Sequence, residues 1–195
     1  TWIEQAKLIA ADAAAYDEFG VCVAVSGDTA VVGAWLDDCE AIDTGSAYVF
    51  ARSGEVWTQQ AKLTASDAEA GDQFGSSVAV SGETVVVGAI YDDHDSLTDA
   101  GSAYVFVRSG GVWSEQAKLT ASDAAASDEF GVSVAVWGDS AVVGAWLDDD
   151  FGGTNAGSPY LFVRAGDVWT EQAKLTASDS KGRDYFGESV ALSGN

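Results

Sequence analysis

The sequence predicts an all-β fold: a β-propeller of four-stranded antiparallel blades, with about three and a half blades present. Three observations carry that prediction. The first is a repeat. Trp-x-x-x-Ala-Lys-Leu begins at Trp2, Trp57, Trp113 and Trp169, spaced 55, 56 and 56 residues apart. Phe-Gly follows each copy, at Phe19-Gly20, Phe74-Gly75, Phe130-Gly131 and Phe186-Gly187. A fixed period of this size marks stacked or radially arrayed supersecondary units. The second is that each unit consists of short β-branched and aromatic runs bounded by Gly, with no helical period. The third is that each unit holds two tight-turn signals, enough for four strands.

The second copy shows the elements in order. Residues 75–80 form a first strand, Gly82-Glu83 a two-residue turn, and residues 84–89 the return strand. Gly at the first central position suits a type II′ hairpin, whose twist matches its strands. After an acidic loop, residues 102–108 form a third strand, Gly110-Gly111 turns again, and residues 112–119 form a fourth. A repeat of four short strands near ~50 residues has the size of a propeller blade. A stacked β-solenoid is the other reading, but solenoid coils are shorter and lack two tight hairpins per repeat. The lone proline, Pro159, falls at the start of a third strand, where a missing N–H is tolerated. With Gly110-Gly111 as the turn, Arg108 lies opposite Trp113; the same register pairs Arg52 with Trp57 and Arg164 with Trp169. Each pair is either a cation–π contact or an indole covering the blade rim beneath a snorkelling Arg. The array spans 1–195, with repeats at 2–56, 57–112 and 113–168 and a partial copy at 169–195. Beginning and ending inside a repeat, the sequence reads as a segment of a longer array or a processed product.

Net charge is −22, from 31 acidic and 9 basic residues. Nucleic acid and anionic membrane surfaces require Lys and Arg, so both are excluded as partners. A hydrophobic content of 47% with 7 Trp, 6 Tyr and 8 Phe excludes a disordered acidic tail. No stretch approaches the roughly 20 apolar residues of a membrane span, which argues against membrane insertion. The two cysteines, Cys22 and Cys39, both fall in the first copy, and Ser77 and Ser133 occupy the position of Cys22 in later copies. They are read either as a disulfide, which implies an oxidising compartment, or as two free thiols.

Phe-Gly, then Ser-Val-Ala-Val at 77–80, Val87-Gly88-Ala89 and Gly-Ser-Ala-Tyr-Val-Phe at 101–106 together resemble the FG-GAP repeat. That repeat is the blade unit of the integrin α-subunit N-terminal propeller and of many secreted bacterial proteins. The resemblance covers essentially the whole chain, although the family's Pro is replaced by Trp35, Ile90 or Trp146. It implies a propeller, commonly seven-bladed, that serves adhesion or ligand binding at cell surfaces or outside the cell. One departure is informative. Integrin-type blades often carry an Asp-x-Asp-x-Asp-Gly calcium loop between the first two strands. Here that connection is a two-residue turn with a single carboxylate, as at Gly27-Asp28 and Gly82-Glu83, which cannot wrap a cation wanting 6–8 oxygens.

In such a blade the interblade loops and the loops between strands two and three share one face, and the tight hairpins share the other. On that basis 22 of the 31 acidic residues sort onto one face, opposed there only by Lys181 and Arg183. Three readings compete: solubility, with acidic loops solvating strand ends; divalent cation binding; and recognition of a cationic partner. For a cation such as Ca²⁺, the candidate oxygen ligands are Asp12, Asp17, Asp37 and Asp38; Asp67, Asp72, Asp92 and Asp93; and Asp123, Asp128, Asp148 and Asp149. For a ligand, the two-to-three loop varies between copies. Its tip carries Ile42, Leu97 or Phe151, and Trp35, Tyr91 or Trp146 precedes it, either as an aromatic platform for a sugar or peptide or as rim packing. Catalysis is not expected. His94 is the only histidine, so no His-based triad can recur, and the carboxylate pairs repeat in every blade where a catalytic pair occurs once. The expected function is a non-enzymatic, extracellular binding or adhesion module whose partner is a protein or carbohydrate. The alternative is an assembly protein whose propeller is completed by further copies of the same fold.

Overall fold

A computed structural model describes residues 3–39, 41–150 and 152–194, and all regular structure among them is β-strand. β1 (Val23–Ser26), β2 (Thr29–Ala34), β3 (Ser46–Ser53) and β4 (Val56–Leu63) form the first sheet. β5 (Phe74–Ser81), β6 (Thr84–Ala89), β7 (Ser102–Ser109) and β8 (Val112–Leu119) form the second. β9 (Phe130–Trp137), β10 (Ser140–Ala145), β11 (Ser158–Ala165) and β12 (Val168–Lys174) form the third. Each is an antiparallel meander in chain order, as expected of propeller blades, and the three blades do not close into a ring. The partial fourth copy differs from the earlier ones: residues 186–193 carry the sequence of a first strand but form none. The Trp-x-x-x-Ala-Lys-Leu segment is the fourth strand of the blade it completes, so each blade runs from Phe-Gly to Ala-Lys, straddling the repeat boundaries.

The hairpin register follows the turn residues. Ser81 pairs with Thr84 across Gly82-Glu83, and Ser109 with Val112 across Gly110-Gly111. Gly82 has φ +56° and Glu83 is not left-handed, which suits type II′; Gly110 and Gly111 are both left-handed, at +59° and +86°, which suits type I′. Pro159 is the second residue of β11. It pairs with Gly144, and its carbonyl still accepts the Leu175 N–H at 2.8 Å. It has no N–H to return that bond, and β12 ends one residue earlier than β4 and β8.

Blades pack face to face. Val31, Val49 and Leu63 of the first meet Val85, Val87 and Phe106 of the second. Val86, Val105 and Leu119 of the second meet Val143, Tyr160 and Phe162 of the third. Each such side chain contributes about 1.5–3 kcal/mol when fully buried. The Phe-Gly pair keys each joint. Phe74 is fully buried, edge-on to Tyr104 at 5.5 Å and to Phe106 at 5.9 Å. Gly75, at φ +95°, lies so close to the preceding blade that a Cβ would stand 2.3 Å from the Ser46 carbonyl oxygen. Its own carbonyl accepts the Cys22 thiol at 3.1 Å, just as Gly131 and Gly187 accept the Ser77 and Ser133 hydroxyls at 2.7 Å. The outer side of the first blade has no such partner: Val23 and Val25 are each 66% exposed, against 9% for Val78 and Val134.

On the rim, the register places Arg52, Arg108 and Arg164 opposite Trp57, Trp113 and Trp169, with guanidinium carbons 5.5, 5.4 and 5.2 Å from the indoles. The indole also ties blades together, since Trp113 donates to Gln60 of the preceding blade at 3.0 Å. A double-mutant cycle on Arg108→Ala and Trp113→Ala, read by urea unfolding, is expected to give a coupling of about 0.5–1 kcal/mol. Additive losses would leave only rim coverage.

Candidate functional site: the acidic loop face

The two loop families share one face because the backbone laces them together. The Gly71 N–H donates to the Ile42 carbonyl at 3.0 Å and the Phe74 N–H to Thr44 at 2.9 Å; Ser127 and Phe130 repeat this with Thr98 and Ala100, both at 2.9 Å. The loop between strands two and three of one blade is thus the seat for the entry loop of the next.

The charge distribution on that face corrects the expectation that only Lys181 and Arg183 oppose the acids. Lys118, near the end of β8, reaches it and bridges Asp67 at 2.7 Å and Asp92 at 2.8 Å. Tyr104 donates to the same two carboxylates, both at 2.8 Å, and Ser102 donates to Asp92 at 2.6 Å. The first blade repeats this with Lys62 on Asp12 and Asp37 at 2.7 and 2.6 Å, and the third with Lys174 on Asp123 and Asp148, both at 2.8 Å. Asp37, Asp92 and Asp148 are buried, so each is a desolvated charge that needs this partner. Burial works against the charged form of Asp67 and Asp123, yet the hydrogen bonds from lysine and tyrosine hold both below the usual carboxylate range. The lysine hydrogen bond does the same for Asp12. Burial and the neighbouring carboxylates raise Tyr104 and Tyr160, so both stay protonated donors. The signal for this triad lies in the sequence, in Lys of Ala-Lys-Leu and Tyr after Gly-Ser-x, each repeated in register.

The remaining carboxylates serve the backbone. Asp17, Asp72, Asp128 and Asp184 each accept the N–H three residues earlier, from Ala14, Glu69, Ala125 and Lys181, at 2.6–2.8 Å. Asp38, Asp93 and Asp149 close the two-to-three loops by accepting from Asp43, Asp99 and Asn155 at 2.9, 2.7 and 2.7 Å. These twelve candidate calcium ligands do not fit a cation. No group of three or more His, Cys, Asp or Glu converges as a metal cage among the described residues, and six of the twelve are spent on lysine. A hard cation wants 6–8 free oxygens, and an ammonium already occupies the point where they meet.

The aromatic candidates do not form one platform. Trp35, Tyr91 and Trp146 stand half-buried at successive blade joints. Trp146 donates to Glu129 at 2.7 Å and lies against Tyr185 at 5.7 Å, whereas the buried Trp35 N–H has no partner among the described residues. They pack the joints and leave edges exposed. Leu97 is half-buried in the turn its N–H closes with the His94 carbonyl at 2.8 Å, and Ile42 is 70% exposed. Phe151 lies outside the described residues. A cavity of about 310 Å³ in the third blade is lined by Asp123, Asp149, Asp150, Lys174 and Thr176.

The disulfide expectation is not met: Cys22 and Cys39 are both free. Cys22 is committed to the joint with Gly75, where burial pushes its thiol up to about 12, while Cys39 is exposed in the loop. A thiol reagent at pH 8 is therefore expected to label one site in the native protein and two after unfolding. Cys22→Ser, which restores the residue of the other copies, should move stability by less than about 1 kcal/mol. Rapid native labelling of both thiols would contradict this assignment.

The FG-GAP repeat profile matches residues 2–50, 57–106, 113–162 and 169–195. No protein among those with curated functions matches the chain.

Proposed function

Because the chain belongs to the FG-GAP repeat family, whose repeats build β-propeller-like modules that typically serve binding or adhesion in extracellular or surface proteins, we propose that it is a non-catalytic recognition module acting outside the cell. No helix among the described residues is long and apolar enough to cross a membrane. The ligand is a protein or carbohydrate presenting positive charge, and the acidic loop face receives it. One observation carries this reading. Beyond the carboxylates that each blade's lysine bridges, Glu18, Asp38, Glu69, Asp93, Asp95 and Asp149 stand exposed on the same face without a lysine or arginine partner among the described residues. Such a field speeds encounter with a cationic partner and is screened within about 8 Å at physiological salt.

The test is association with an immobilised lysine-rich peptide and a neutral control peptide. Association with the basic peptide should slow steeply between 50 and 300 mM salt, and Asp38→Asn/Asp93→Asn/Asp149→Asn should slow it further at low salt. Equal binding to both peptides, or indifference to these loop changes, would sink the proposal.

A second reading, completion by further copies of the same fold, is favoured by the exposure of Val23 and Val25, whose counterparts in the later blades are buried or, at Val80, half-buried. Native mass measurement checks it: oligomers that Val23→Asp/Val25→Asp dissociates support it, and a monomer at all concentrations refutes it.

A further inference from the structure

The lysine triads leave one carboxylate too many in each joint. Around Lys118 stand Asp67 and Asp92, which it bridges, and Asp72, which it does not. Asp72 is 4% exposed and Asp92 2%. Asp72 accepts a single N–H, from Glu69 at 2.6 Å, and lies at a crossing of the fold. Its own carbonyl accepts the Tyr91 N–H at 3.3 Å, while two residues on Phe74 is bonded to Thr44 of the preceding blade. The third blade repeats the arrangement. Asp128 is 4% exposed, accepts the Ala125 N–H at 2.7 Å, and its carbonyl accepts the Leu147 N–H at 3.4 Å. Asp72 faces Asp92 from the two-to-three loop, Lys118 from the fourth strand and Glu69 from its own loop. Asp128 faces Asp148 and Asp149 from the loop and Lys174 from the fourth strand. In both joints one ammonium must serve three carboxylates, two of them buried.

We propose that Asp72 and Asp128 are proton-operated latches, each taking one proton from solvent as the medium turns mildly acidic, and that this tightens the joints between blades. Protonation removes the charge of the one carboxylate in each joint that lysine does not bridge, and leaves the other carboxyl oxygen free to accept the loop N–H. Burial first, and then Asp92 or Asp148, raises both groups to about 6, against 3.8 for a free aspartic acid. A carboxyl raised on folding binds its proton more tightly in the native state. Stability therefore increases as pH falls through about 6 and is lost as pH rises through it. Between pH 7.5 and 5 the unfolding constant should fall roughly tenfold per latch. Below pH 4 the trend reverses, because Asp12, Asp67 and Asp123, held low by lysine, are then forced to protonate.

The experiment is urea unfolding at constant ionic strength from pH 7.5 to 3, on the natural chain and on Asp72→Asn/Asp128→Asn, which keeps an oxygen for the loop N–H. The natural chain should gain stability down to about pH 5. The double variant should be more stable than it at pH 7.5 and should lose most of the gain across that window, the remainder belonging to Glu129, which burial also raises. His94→Gln, which removes the only imidazole, should leave the gain intact. Carboxyl-carbon NMR of the unmodified protein reads the same two groups without substitution and should show two aspartates titrating near 6. A natural chain that is flat or weakens from pH 7.5 to 5, a double variant that keeps most of the gain, or no aspartate titrating above 5 would overturn the proposal.

Discussion

Replacing Lys118 with methionine should destabilise the protein by about 3 kcal/mol, toward the lower end of the range for removing one partner of a buried ion pair. The methionine stem preserves packing along the Tyr104 ring, over which the ammonium now sits at 5.2 Å, so the loss isolates charge. What remains is Asp92, 2% exposed, with hydrogen bonds from Ser102 and Tyr104 but no cation, and Asp67 beside it. The two carboxylates that lysine bridged then stand beside Asp72 with no cation to compensate them. Adding Asp92→Asn to Lys118→Met should recover about 1–2 kcal/mol, because the neutral amide removes the buried charge while its oxygen accepts one of the two hydroxyls and its NH2 donates to the other. Urea midpoints for the two singles and the double close the cycle. A Lys118→Met variant within about 0.5 kcal/mol of the natural chain would show the bridge to be a screened surface pair.

Gly88→Ala should cost about 3 kcal/mol, at the upper end for overpacking, for a steric reason. Gly88 lies in β6 where the third blade's Phe-Gly docks. A Cβ there would stand 2.1 Å from the Gly131 carbonyl oxygen and 2.4 Å from the Ser77 hydroxyl. Both atoms belong to the hydrogen bond that holds the joint, so neither can yield without breaking it. Gly82→Ala is the comparison: its Cβ would meet nothing within 4 Å, and the cost is only that of φ +56°, about 1 kcal/mol. Equal losses at the two positions would mean that the joint opens cheaply.

What could be read from the sequence was whatever the repeat made local. Two-residue turns fixed the hairpins, and the hairpins fixed the Arg–Trp register. Loop position alone sorted the acids onto one face. What escaped was interaction across the fold. Lys118 lies 51 residues from Asp67 and 26 from Asp92, and its long stem carries the charge from a strand into the loops, so its position on the fourth strand misled as to the face it serves. The aspartates looked like cation ligands because their counter-ion is an ammonium that spacing does not reveal. Cys22 invited pairing with Cys39, although its alignment with Ser77 and Ser133 already held the answer: it donates across a blade joint as they do.

That lysine, and not a divalent cation, organises each acidic joint is tested most directly by thermal unfolding at constant ionic strength in 5 mM calcium and in chelator. We expect the two melting temperatures to agree within about a degree. A saturable rise of several degrees with calcium, abolished by Asp67→Asn or Asp92→Asn, would mean that the carboxylates leave lysine for the ion and that the joints are metal sites after all.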